Sequence, residues 1–247
     1  VDDAAATARR DVDRLLAERV LRQKSGQVTA EMALRDAHAS ALLEGAPALD
    51  VEVLRGRIET GADGLDGLPD DDGLAWQYRG ALRVAAAVAE LGPAWEHAPR
   101  QALARLHVLA ARDAPGNPDS LGRPREDQPG TVARLDVLVE ALSAPTTAPA
   151  VVVAAVVHAE LLALNLFDVA NGLVARGAAR LVLWARGVDP KAVTGPDIGH
   201  LQSGAGYAEA SAAYLTGDVG TWVRHCCTAL SAGAQAGREA CAAVAQR

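Results

Sequence analysis

The chain has 247 residues, 50% hydrophobic but only 3% aromatic, with a formal net charge of −7. That length fits one domain with an extension or two small ones, around a core that Ala, Val and Leu must build. The acidic balance argues against broad binding to nucleic acid, which needs clustered Lys and Arg. Cys226, Cys227 and Cys241 form an odd set near the C-terminus. They do not read as a disulfide framework, and a reducing cytoplasm is the expected setting. No signal peptide is expected. The most apolar stretch, Ala148 to Phe167, carries His158 and Glu160, so it reads as a buried core helix and not as a membrane span.

Taken in order, Asp2 to Lys24 has helical periodicity, with Val12, Leu15, Leu16, Val20 and Leu21 on one stripe. Ser25-Gly26 reads as a break. Thr29 then reads as an N-cap ahead of Ala30-Glu31-Met32, opening a helix that runs to Leu43 or Glu44. Gly45 is suited to a left-handed stop just past its end. Val51 to Glu59 is a short helix. Gly61 to Gly73 is rich in Gly, Asp and Pro and marks the boundary between an N-terminal region, 1–70, and a larger one, 71–247. Its Asp70-Asp71-Asp72 run reads as solvated linker, able also to favour the next helix N-terminus.

Leu74 to Leu91 is a strong helix that Gly92-Pro93 should stop, and Pro99 to Ala111 is another. Asp113 to Gly130 is long for a structureless loop and is expected to be functional or mobile, with a tiny hairpin near Gly122. Helices follow over Thr131 to Leu142, Ala148 to Leu164 and Leu173 to Arg186. Lys191 to Gly206 reads as loop, and Ala208 to Leu215 and Val219 to Ala245 as Ala-rich helices. No segment sustains strand alternation, so the fold class is all-α.

The chemistry gathers between the two most apolar helices, at Asn165 to Arg176. Asn and Gly tolerate positive φ, so Asn171-Gly172 is the expected turn. The helix beyond it starts with free N–H groups, which attract anions and phosphate above all. His225-Cys226-Cys227 lies on one helix, where adjacent side chains point about 100° apart and do not converge on one ion. These cysteines read as packing residues. So do Trp76, Trp95, Trp184 and Trp222.

This stretch resembles the motif of the Fic (Fido) family, His-Pro-Phe-x-Asp/Glu-Gly-Asn-Gly-Arg-x-x-Arg. Phe167, Asn171, Gly172 and Arg176 match it. Asn165 stands where the family has its catalytic His, Leu166 replaces Pro, Val169 the acidic residue, Ala170 the first Gly and Leu173 the first Arg. His158 matches a His on the helix before the family motif, and Gly187-Val188-Asp189-Pro190 resembles the family's exit from the following helix. Ser40-Ala41-Leu42-Leu43-Glu44-Gly45 is similar to the family's inhibitory motif, Ser/Thr-x-x-x-Glu-Gly/Asn. Ser40 and Glu44 share one helix face at that spacing.

The resemblance implies a helical bundle with an N-terminal inhibitory helix, in which Glu44 pairs with Arg176 and obstructs nucleotide binding. It implies ATP or another nucleotide, with Mg²⁺, held by Phe167, Ala170, Asn171, Gly172 and Arg176. It also implies a protein target held at the 115–130 loop, near Gly122-Arg123-Pro124-Arg125, a stretch that on composition alone reads equally as a charged surface loop. AMP transfer needs a base near neutrality, and an amide at Asn165 cannot accept that proton usefully. Glu44 is the alternative base, and Asp168 the nearest carboxylate for a metal ion. His158 reads foremost as a hydrogen-bonded core residue. Three readings therefore stay open: an enzyme with altered nucleotidyl transfer, an inactive nucleotide-binding regulator, and a helical protein-interaction module.

Overall fold

The computed structural model describes residues 1–60, 75–125, 127 and 130–246. Eleven α-helices run through the described residues, and no strand occurs among them. They are α1 (Asp2–Leu16), α2 (Ser25–Leu43), α3 (Val51–Thr60), α4 (Trp76–His97), α5 (Pro99–Ala111), α6 (Thr131–Ser143), α7 (Ala150–Leu164), α8 (Asn171–Ala185), α9 (Pro196–Gln202), α10 (Gly206–Leu215) and α11 (Val219–Gln246). The expected boundary over Gly61 to Gly73, with its Asp run, lies outside the described residues.

The core is built around α7 and α8, which pack on each other. Further contacts join α8 to α4 and α5, α2 to α4 and α9, and α11 to α1 and α9. Side chains of α1 and α2 share one hydrophobic core with those of α4 to α11, from Ala5 to Val244. With so few aromatics the helices meet through small residues. At Gly199 a Cβ would lie 2.2 Å from the Ala229 carbonyl oxygen, so α9 reaches the α11 backbone only because that position has no side chain. The close fit follows from an Ala- and Gly-rich composition and sets where α9 carries Asp197 and His200.

Several boundaries differ from the sequence expectation. The first helix ends at Leu16, and Arg19–Arg22 is a separate 3₁₀ turn. Ser25-Gly26 opens α2 instead of breaking the chain, and Thr29 is inside the helix. The Thr29 hydroxyl donates to the Lys191 carbonyl at 2.9 Å, so it ties the α8–α9 connection down and caps nothing. Gly92-Pro93 does not stop α4, which continues to His97. Gly92 lets the Trp184 ring lie against the helix, where a Cβ would come within 2.0 Å of it. The helix ends instead at Ala98, extended ahead of Pro99 at φ −147° and ψ 62°. Seven residues expected as loop form α9. Near Gly122 the described residues hold a 3₁₀ turn, Pro118–Ser120, in place of the expected hairpin. No helix among the described residues is long and apolar enough to cross a membrane.

Candidate functional site

The polar loop between α7 and α8 turns at two places that differ from the expected Asn171-Gly172. Positive φ occurs at Asn165 (45°) and Ala170 (61°). Asn165 is the left-handed C-cap of α7, a conformation Asn tolerates better than most residues. Ala170 is the N-cap of α8 and is buried. An alanine there costs roughly 1–2 kcal/mol relative to an unstrained residue. Asn171 does a different job from turning the chain. Its side chain accepts from the Phe167 N–H at 2.8 Å and donates to the Phe167 carbonyl at 2.7 Å, closing the loop into a ring.

Among the described residues, no backbone N–H from Asp168 to Leu173 donates to a protein acceptor. These groups and the start of α8 form a positive nest suited to a phosphate-sized anion. Arg176 lies one turn further along α8, buried at 2% exposure.

The pair expected between Glu44 and Arg176 is formed. Arg176 Nη2 donates to Glu44 Oε2 at 2.8 Å and to the Ser40 carbonyl at 2.9 Å, and Nε donates to Ser40 Oγ at 2.8 Å. Asp197 Oδ2 lies 3.5 Å from Arg176 Nε. Ser40 and Glu44 reach one guanidinium because they are one helical turn apart at the end of α2, where Glu44 is the C-cap and Gly45 is left-handed at φ +82°. Burial disfavours the Arg176 charge, but Tyr207, Glu44 and Asp197 outweigh it and hold the guanidinium protonated. Glu44 also touches the start of α8: a Cβ on Gly172 would lie 2.2 Å from Glu44 Oε2. A carboxylate thus sits where the helix N-terminus favours an anion.

The remaining site residues fall into separate places. Asn165 is exposed. Leu173 is buried in the hydrophobic core, so an Arg at this position would enter apolar packing rather than reach a phosphate. Asp168 is exposed, 3.9 Å from Arg125 Nε. It lines a cavity with His107 and the Pro118–Ser120 turn, whereas Arg176 lines another. A magnesium ion is commonly held by one or two carboxylates together with substrate phosphates, and Asp168 is the exposed carboxylate of this loop. The start of α8 and Arg176 offer the two kinds of donor that phosphate recognition uses.

Two groups escaped the sequence reading. His107 on α5 stacks on Phe167, with ring centroids 3.9 Å apart and planes at 5°. Its Nδ1 accepts the Gly122 N–H at 2.9 Å, which fixes a neutral ring. Burial lowers His107 to about 4, against the Val169 backbone and the Asp168 charge. Arg125 N–H donates to the Leu166 carbonyl at 2.9 Å, so the 113–125 loop is attached to the α7–α8 loop. A lone His in an amphipathic helix gives no sequence signal of such a partner. The second group is Asp36 with Arg180, 3.1 Å apart and buried. Asp36 Oδ1 also accepts the Asp197 N–H at 2.9 Å, joining α2 to α9. Burial and the neighbouring Asp197 carboxyl push Asp36 up to about 8.

No protein-family model and no curated protein sequence matches the chain. Solved structures do. A Fic family protein from Desulfovibrio desulfuricans G20 superposes with a TM-score of 0.74 at 18% identity, covering 96% of this chain and 74% of that one. A fragment of Fic-1 from C. elegans superposes with a TM-score of 0.72 at 16% identity, covering 98% of this chain and 73% of that one. The chain therefore has the Fic-type all-α fold, and the likeness extends through α1 and α2 as well as the larger helical region.

Proposed function

We propose that the chain is a Fic-type domain whose loop between α7 and α8 binds the phosphates of a nucleotide, and that α2 holds this site closed. The observation that carries the reading is Glu44: its carboxylate lies on Arg176 and against Gly172, at the positive end of α8. Displacing Glu44 would expose one buried Arg and a run of unpartnered N–H groups, the two kinds of donor that phosphate recognition uses.

Binding and turnover separate at this site. Asn165 can orient a hydroxyl or a water but cannot take its proton at neutral pH. Leu173 contributes no charge. Nucleotidyl transfer is accordingly weakened or altered, and any protein target is presented by the 115–130 loop that Arg125 fastens to Leu166. The exposed position of Asn165 and the burial of Leu173 favour a second reading, in which the domain binds a nucleotide or partner and regulates without transfer.

Labelled ATP and a panel of acceptor proteins distinguish the two. Transfer by Glu44→Gly that Asn165→Ala abolishes supports altered chemistry. Transfer that appears only in Glu44→Gly/Asn165→His supports a preserved pocket with lost chemistry. Leu173→Arg is not a useful restoration, because it would bury a charge in the core.

A further inference from the structure

Behind Arg176, away from the α7–α8 loop, three helices bring His158 (α7), His200 (α9) and Cys226 (α11) together. One ligand atom from each lies within 4.8 Å of the others. The grouping is not a sequence motif. His158 and His200 are buried, and the fold brings them to Cys226 across long sequence separations. A cavity of about 30 Å³ opens among these three residues. That volume holds a small ion with a water molecule.

Each imidazole is oriented by a hydrogen bond with a neighbouring side chain. His158 Nε2 is 2.9 Å from the Tyr207 hydroxyl, and His200 Nδ1 is 2.9 Å from His225 Nε2. Each ring therefore has one nitrogen engaged by the protein. The other nitrogen of each makes no protein hydrogen bond among the described residues. A ligating His generally has its second nitrogen hydrogen-bonded, most often to a carboxylate, a backbone carbonyl or water; here the Tyr207 hydroxyl and the His225 ring take that place and orient the rings. The aromatic rings of Tyr207, Trp222 and His225 enclose the group and hold the two imidazoles in place. Trp222 is fixed in turn by its N–H donating to the Ala155 carbonyl at 2.7 Å.

We infer that His158, His200 and Cys226 form a binding site for a divalent ion of the zinc class, with three protein ligands and an open fourth position filled by water. Two imidazoles and a thiolate match the softness and low coordination number of zinc. Tetrahedral zinc places its ligand atoms roughly 3.4–3.6 Å apart, given bonds of about 2.0–2.3 Å. Closing the observed spread needs movements on the order of 1 Å, within reach of side-chain rotation. On binding, the Cys226 S–H bond breaks, sulfur bonds to the metal, and the proton leaves to solvent. Nothing is oxidised or reduced. The nearby cation is compensated: Arg176 lines the same cavity, but Glu44 and Asp197 meet its charge.

The test is titration of the reduced full-length chain with Co²⁺ alone, followed by Zn²⁺. The expected result is one equivalent of cobalt, an intense near-ultraviolet thiolate-to-cobalt band, and visible bands of tetrahedral intensity, all removed by one equivalent of zinc. Cys226→Ser should lose the near-ultraviolet band, whereas Cys241→Ser, also on α11, should keep it. Should Cys226→Ser fail to fold, His200→Gln should still lose tetrahedral intensity. A wild-type spectrum without the thiolate band, a band that persists in Cys226→Ser, or octahedral cobalt unaffected by zinc overturns the assignment.

Discussion

Replacing Gly172 with alanine adds a single methyl group directly onto the Glu44–Arg176 pair. The new Cβ would lie 2.2 Å from Glu44 Oε2 and 2.8 Å from Arg176 Nη1, both far closer than contact distance. Gly172 is not left-handed, so the backbone itself accepts alanine. In a helix without that neighbour the change would stabilise by up to about 1 kcal/mol through helix propensity. Here Glu44 must move away from Arg176, losing a charge-assisted hydrogen bond worth about 1.5–3 kcal/mol. The two bonds from Arg176 to Ser40 and the nearby Asp197 remain, so the loss stays short of that for an unpaired buried charge. The expected net cost of Gly172→Ala is about 1 kcal/mol. In a Glu44→Ala background the Glu44 clash is gone and the contact with Arg176 Nη1 at 2.8 Å remains, so the same substitution should cost clearly less. Urea unfolding of the four proteins gives the coupling directly, expected at about 1–3 kcal/mol. An equal cost in both backgrounds would refute the placement of Glu44 against the start of α8.

Two pH dependences follow from buried groups. The folded-state value of His107 lies near 4, below the ordinary 6.5, so the unfolded chain binds the proton first as pH falls. Stability from this residue is present above about 6.5 and is lost down to about 4, with a slope of at most about 1.4 kcal/mol per unit. His107→Gln should flatten that part of the urea-stability profile, and an unchanged acid slope would contradict it. Asp36 behaves in the opposite sense. Its folded value, about 8, lies above the ordinary 3.8, so the folded chain keeps a proton the unfolded chain has lost. Its contribution falls as pH rises from about 4 to about 8. Asp36→Asn should remove this decline, and a wild-type stability that rises through the window relative to the variant would refute it.

The helical class was legible in the sequence from periodicity, and the Ser40–Glu44–Arg176 contact through the resemblance of those two stretches to the Fic motifs. Ser40 and Glu44 are one helical turn apart, and Arg176 is one turn past the start of α8. The turn geometry was not legible. Alanine carries no preference for positive φ, so nothing at Ala170 announced that the loop turns there. Asn171, a good turn residue by propensity, is used instead for its side-chain amide, which clamps Phe167. Pro93 misled because surrounding packing, with Trp184 seated on Gly92, holds α4 through a residue that usually ends helices. The helix α9 is seven residues long and opens with Gly195-Pro196, too short for periodicity to register. The His158–His200–Cys226 group was invisible for that reason: its central member lies on a helix that read as loop.

The proposed function requires that Glu44 occupies a phosphate site. Isothermal titration of the wild-type chain and of Glu44→Gly with ATP, with and without Mg²⁺, tests it most directly. Weak or absent binding is expected for the wild type, and clear binding for Glu44→Gly that persists without magnesium and is lost on adding Arg176→Ala. Equal binding by both proteins, or none by either, would contradict it.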